Sequence, residues 1–123
     1  MRTALVIDDN RHTADGLCQL LSLLDLEARP AYGPRAAIMA LEEKTPDIVF
    51  LDINMPGLDG FEVMAYLRRE PRLRHVPVVV VTADDQKSTA QRARQEGAVA
   101  TIIKPATFEA LEEALQAAQL QLS

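Results

Sequence analysis

Tryptophan is absent from this chain, and two tyrosines and three phenylalanines are its only aromatics. A core of ordinary packing density must therefore be built from Leu, Ile, Val, Ala and Met. One cysteine, Cys18, cannot close an internal disulfide. Its apolar neighbours make it most simply a small core residue, in a chain suited to a reducing cytosol. No run approaches the roughly 20 apolar residues needed to cross a bilayer. The N-terminus already reads as strand by Ala4, so no membrane partner is expected and the expected location is cytoplasmic. Basic character is lacking too: the net charge is -5, the pI is near 5.0, and the arginines are scattered rather than striped. Direct binding of nucleic acid is thereby disfavoured. Linkers, repeats and low-complexity segments are also missing. With 48% hydrophobic residues over 123 positions, residues 1–123 read as one domain with one core.

What is present alternates. Ala4-Leu5-Val6-Ile7 is an apolar, β-branched run closed by Asp8 and Asp9, with Asn10 as N-cap of a helix from Arg11 to Leu24. Glu27–Tyr32 reads as a weaker strand whose Pro30 puts it at an edge. A second helix follows Gly33-Pro34 and runs toward Glu43. Ile48–Leu51 is a buried strand that delivers Asp52, and Pro56, Gly57 and Gly60 then prevent it from continuing. A third helix carries Phe61, Met64, Ala65 and Leu67 to about Arg69. Val78–Val81 lacks polar alternation, so both of its faces should be covered, as in a parallel sheet. A fourth helix spans about Gln86 to Glu96 and stops at Gly97, a natural C′ residue. Thr101–Ile103 is a last strand, and Phe108, Leu111, Ala114, Leu115 and Ala118 mark a fifth helix. Five strands alternating with five helices predict a doubly wound α/β sheet with the flavodoxin-like order 2-1-3-4-5, one of the two common orders for such sheets.

Polar residues gather where four of those strands end: Asp8 and Asp9, then Asp52, Thr82 and Lys104. In open parallel sheets ligands sit beyond the carboxyl ends of the strands, where strand order reverses. The first and third strands meet there, so three carboxylates would crowd one crevice and raise at least one pKa. A hard divalent cation relieves that crowding, and Mg²⁺ (or Mn²⁺) suits two carboxylates, a backbone carbonyl and waters. The same arrangement prepares a carboxylate to attack phosphorus, with a lysine neutralising another oxygen and Thr82 offering a hydroxyl.

From end to end the chain resembles the receiver domains of two-component response regulators. The resemblance is carried by Val6-Ile7-Asp8-Asp9-Asn10, Phe50-Leu51-Asp52-Ile53-Asn54-Met55-Pro56-Gly57-Leu58-Asp59-Gly60, Val81-Thr82-Ala83 and Ile102-Ile103-Lys104-Pro105, in that order and spacing. It implies that Asp52 is the phosphoacceptor, taking a phosphoryl group from a phosphohistidine on a sensor histidine kinase or a phosphotransfer protein. It implies that Asp9 and Asp52 ligate Mg²⁺ directly, Asn54 through its backbone carbonyl and Asp8 through water. Lys104 would pair with a phosphoryl oxygen, Thr82 would move to bond another, and Pro105 would follow a cis peptide bond. Met55-Pro56-Gly57 would be the loop that closes the site. Such a domain phosphorylates and dephosphorylates itself rather than turning over substrate, so an enzyme in the ordinary sense is not expected.

Some residues depart from the family pattern. Its usual aromatic three residues before the lysine is Thr101 here, and Ala106 stands where Phe is common, so a shallower or differently routed switch is expected. Two residues after Asp52 and Thr82 stand Asn54, whose amide could orient an attacking water, and Asp84. The latter either overhangs the phosphoryl group or starts the fourth helix. An aspartyl-nucleophile phosphatase would need a second Asp where Asn54 stands, and a flavin carrier would meet repulsion between phosphate and Asp8-Asp9. The alternative that remains is a receiver-fold binding module not regulated by phosphorylation. The downstream protein target is not legible. Leu111, Leu115, Leu120 and Leu122 offer a surface for a weak homodimer, although an exposed leucine or two is also ordinary.

Overall fold

Short β-branched runs flanked by amphipathic stretches give strands and helices in strict alternation. In order they are β1 (Thr3–Ile7), α1 (Arg11–Leu23), β2 (Glu27–Ala31), α2 (Pro34–Glu43), β3 (Ile48–Leu51), α3 (Gly60–Arg69), β4 (Val78–Thr82), α4 (Lys87–Gln95), β5 (Ala100–Ile103) and α5 (Phe108–Leu122). The computed structural model describes residues 1–55 and 59–122, and for residues 119–122 the backbone alone. Pro56 and Gly57 of the expected closing loop, and the side chains of Leu120 and Leu122 offered for dimerisation, lie outside the described residues.

The strands form one parallel sheet in the order β2-β1-β3-β4-β5, the flavodoxin-like order expected. Register aligns the strand ends: Ile7 pairs with Leu51, Leu51 with Val80, and Thr82 with Ile103. The residues that follow Ile7, Leu51, Thr82 and Ile103 therefore emerge along one rim.

Period-two alternation divides the core between the two faces. On one face Leu5, Ile7, Val49, Leu51, Val78 and Val80 pack with Leu41, Met64 and Leu67 from α2 and α3. On the other Ala4, Val6, Ile48, Phe50, Val79, Val81 and Ile102 pack with Leu17, Leu21, Leu111 and Ala114 from α1 and α5. All five residues of β4 are buried, as its unbroken valines require. Each such side chain contributes about 1.5–3 kcal/mol by leaving water, which makes the central strands the rigid support of the rim. The core is aliphatic apart from Phe50 and Phe61, both buried. Cys18 is only half-buried, at the margin of the α1–α5 side. Burial, then the Asp15 carboxylate, push its thiol up to about 11, which makes it a poor nucleophile.

Caps end the helices where the composition says they should. Asn10 accepts from Thr13 N, and Asp59 does the same for Phe61 N. Gln86 and Glu96 turn out to be the caps of α4 rather than members of it. Gly97 follows with φ +105°, a conformation that an L side chain rarely adopts. Pro30 lies on β2, at the sheet edge, where no ladder donor is lost. Among the described residues no helix is long and apolar enough to cross a membrane.

Candidate functional site

Backbone hydrogen bonds carry the sheet one residue past the strand ends and fix the carboxylates there. Asp8 N donates to Ala31 O at 3.1 Å, and Asp52 N donates to Ile7 O at 2.9 Å. Each side chain then bonds locally: Asp8 Oδ1 accepts from Asn10 N at 2.9 Å, and Asp52 Oδ1 accepts from Asn54 N at 3.0 Å. These two-residue bonds are the usual way an Asp organises a turn. They leave the second oxygen of each group free to face the crevice.

Lys104 faces those oxygens. Its backbone N–H donates to Thr82 O at 2.8 Å, extending the β4–β5 pairing, and the Lys104-Pro105 bond is cis, as the resemblance implied. The ammonium lies 2.8 Å from Asp8 Oδ2 and 3.2 Å from Asp52 Oδ2. Asp8 and Asp52 are 4% and 5% exposed, so their charges are poorly screened. Desolvation is the largest influence on Asp52. With the neighbouring Asp8 charge it lifts the carboxyl above its ordinary value, against the Asn54 N–H and Lys104. Burial pulls the Lys104 ammonium down, but its bond to Asp8 and the charges of Asp52 and Asp8 prevail and raise it.

Asp9 completes the acidic set. Carboxylate oxygens of Asp8, Asp9 and Asp52 lie within 4.8 Å of one another, and Asp9 alone is exposed. Three carboxylates against one ammonium leave the crevice negative, and the donors are all hard oxygens. One carboxylate opens to solvent, from which coordinated waters would come. That set fits Mg²⁺ or Mn²⁺.

Thr82 is fully buried at the end of β4, and its hydroxyl accepts from Asn54 Nδ2 and from Asp84 N, each at 3.1 Å. Asp84 itself is committed to α4. Its Oδ1 accepts from Gln86 N at 2.9 Å and its Oδ2 from Thr89 Oγ1 at 2.7 Å, and these bonds hold its carboxyl below the ordinary range. Its carboxylate is thus engaged at the start of α4, while the residue also lines a cavity with Asn54 beside the rim.

All six residues singled out from the sequence, Asp8, Asp9, Asp52, Asn54, Thr82 and Lys104, meet at this rim. Two contacts among them were not foreseen: the Lys104–Asp8 ion pair and the side-chain bond from Asn54 to Thr82. Parallel register brings the backbones together, but no pattern along the chain announces which rotamers meet. A third omission is Gly60. A Cβ there would sit 2.3 Å from Ile53 Cα and 2.7 Å from Asp52 O, so the start of α3 presses directly on the backbone that carries Asp52. The turn-forming glycines signalled a break in the strand, not this contact. Beside Lys104, a cavity of about 460 Å³ runs between α1 and the segment after β5. His12, Gly16, Leu17, Leu20, Pro105 and Ala106 line it.

Comparison with known proteins agrees with this geometry. The family model for the response regulator receiver domain matches residues 4–116. The polar-differentiation response regulator DivK of Brucella anthropi is 31% identical over 104 residues, covering 85% of each chain. Response regulator PleD of Caulobacter vibrioides is 42% identical over 73 residues, which is 59% of this chain and 16% of PleD. The chain thus matches only a small part of that longer relative. Among solved structures, chemotaxis protein CheY4 of Vibrio cholerae superposes with a TM-score of 0.87 at 25% identity, over 94% of this chain and 97% of that one. A two-component response regulator from Clostridium difficile gives 0.89 at 22% identity, over 100% and 99%, a likeness of fold.

Proposed function

The chain belongs to the response regulator receiver domain family, and from that premise we propose that Asp52 accepts a phosphoryl group from a phosphohistidine. The observation that carries this reading is the placement of Lys104 Nζ between Asp8 and Asp52, in a crevice holding three carboxylates. A carboxylate that faces one ammonium and accepts one N–H, yet is poorly solvated, is a nucleophile with little water to shed. Asp52 Oδ attacks phosphorus, the new O–P bond forms as the P–N bond breaks, and the bonding electrons leave with the imidazole. Lys104, anchored on Asp8, follows the negative charge onto a phosphoryl oxygen, and the Thr82 hydroxyl donates to another. In this reading Asp9, Asp52 and the Asn54 carbonyl would hold Mg²⁺ (or Mn²⁺), and Asp8 would act through water. When bound, that ion offsets the charge of the phosphoryl oxygens.

Hydrolysis of the acyl phosphate resets the domain, so it cycles as a switch rather than turning over a substrate, in a cytoplasmic setting. The cavity beside Lys104 supports a donor that is itself a protein, a histidine kinase or phosphotransfer protein, presenting its imidazole at the rim. Readout passes through protein contacts. Thr101, half-buried in β5 between cavities of about 360 and 430 Å³, supports a relay without a moving ring.

Incubation with Mg²⁺ and a small acyl phosphate, followed by intact mass, tests the central step. The parent chain gains one phosphoryl group and Asp52→Asn gains none. No gain on the parent, under conditions that phosphorylate a control receiver, overturns the proposal in favour of a binding module.

A further inference from the structure

Thr82 has no exposed surface, and a buried hydroxyl offers two lone pairs and one proton, all of which seek partners. Both lone pairs are in use, one on Asp84 N–H and one on the Asn54 side-chain amide, each at 3.1 Å. Among the described residues the proton has no acceptor, and it is the hydrogen-bonding capacity the hydroxyl has left. Asn54 also donates its backbone N–H to Asp52 Oδ1 at 3.0 Å. One residue therefore grips the carboxylate with its main chain and the hydroxyl with its side chain, across 28 positions of sequence. The other anchor of Thr82 is a backbone group, held in place because the Asp84 side chain is tied to Gln86 N and Thr89 Oγ1.

We propose that the Asn54 side chain is a positioning residue for Thr82: by occupying one lone pair it fixes the hydroxyl and keeps its proton free for the incoming phosphoryl group. This rests on the reading of Asp52 as phosphoacceptor. It gives Asn54 a task distinct from metal ligation, which would use its carbonyl. It leaves room for the expectation that its amide orients an attacking water, since one N–H donates to Thr82 while the second N–H and Oδ1 remain. Without the amide the hydroxyl rotor has only Asp84 N–H to define it, and its proton is no longer aimed.

A double-mutant cycle tests the coupling, with Mg²⁺ and acetyl phosphate as reagents and the phosphorylation rate as readout. Asn54→Ala slows the parent about five- to tenfold, the worth of one hydrogen bond. The same change made on Thr82→Ala alters the rate by less than about twofold, because nothing is left to position. Thr82→Ser, which keeps the hydroxyl, restores the sensitivity to Asn54→Ala. Equal slowing in the presence and absence of the hydroxyl overturns the proposal. A second readout needs neither metal nor phosphoryl group: three-bond couplings to the Thr82 methyl report one χ1 rotamer in the parent and rotamer averaging in Asn54→Ala. If the parent takes up no phosphoryl group, the reading of Asp52 fails, and these couplings alone decide the role of Asn54. An unaveraged Thr82 in Asn54→Ala then overturns it.

Discussion

The two ends of the sheet each hold half-buried cations, and they use them in opposite ways. At the carboxyl rim Lys104 sits between the carboxylates of Asp8 and Asp52, which carry excess negative charge. At the other end Arg68 donates to the carbonyls of Arg74, Val76 and Gly97, at 2.9, 3.0 and 3.0 Å. Arg72 likewise donates to Leu41 O and to the Thr45 hydroxyl. These guanidinium bonds stitch together the loops leading into β3, β4 and β5, and their acceptors are neutral and fixed. A rigid fork suits carbonyl acceptors whose positions never change, whereas a flexible ammonium suits a partner whose charge changes. One end is built to stay as it is. The other is built to receive an anion.

Removing each cation probes that difference most directly. Lys104→Met leaves two buried carboxylates facing each other and lowers stability at neutral pH by about 3 kcal/mol. In the parent the raised Lys104 pKa means that this contribution is whole below 10.5 and disappears as pH climbs through the folded value. In the variant the deficit closes as pH falls and Asp52 takes up a proton. Arg68→Met lowers stability by about 2 kcal/mol, with no pH dependence across the carboxylate range, since carbonyls do not titrate. Urea unfolding at several pH values checks both. Parallel pH profiles for the two variants would break the comparison.

Glycines sharpen it further. Gly60→Ala drives a methyl into the Ile53 backbone and costs about 2 kcal/mol. It also displaces the peptide that carries Asp52, so phosphorylation slows along with the loss of stability. Gly97→Ala meets the Arg68 side chain, with Nε 2.9 Å from the added Cβ, at a φ of +105°. It should destabilise without changing the phosphorylation rate of the folded protein. Thermal melts and the mass assay together separate the two outcomes.

The smallest effect has the opposite sign. Asp52 titrates above its ordinary value, so its ionisation opposes folding. Its stability contribution is greatest below the usual carboxylate range and falls as pH rises through the folded value. Asp52→Asn removes that opposition and stabilises the chain by about 1 kcal/mol at neutral pH, with the gain vanishing in acid. A variant less stable than the parent at pH 7 would show that the pairing with Lys104 outweighs burial.

Much of this was legible along the chain. Valines 78–81 had no polar partner at period two and so had to be covered on both faces. Pro30 marked an edge, Asn10 a cap, and Gly97 a left-handed stop. Asp8, Asp9, Asp52, Thr82 and Lys104 were legible because they close apolar runs whose ends parallel topology brings together, and Asn54 was legible from the motif that resembles the receiver family. Element boundaries shifted by one residue where caps had been counted as helix, as at Gln86 and Glu96. Asp84 could be read two ways because an acid after a strand suits both a site and a helix start. Only the position of the Thr89 hydroxyl showed which bonds it makes.

The order of elements, the two-faced core and the residue types at the rim are written along the chain. These depend on periodicity and local backbone preference, which neighbouring residues decide among themselves. The tertiary structure alone decided that Lys104 pairs with Asp8 across 96 positions, that Asn54 reaches Thr82, and that Gly60 touches the backbone at Asp52. Such partnerships are set by rotamers and by contact distances of a few ångströms between segments far apart in the chain, and no local pattern encodes those.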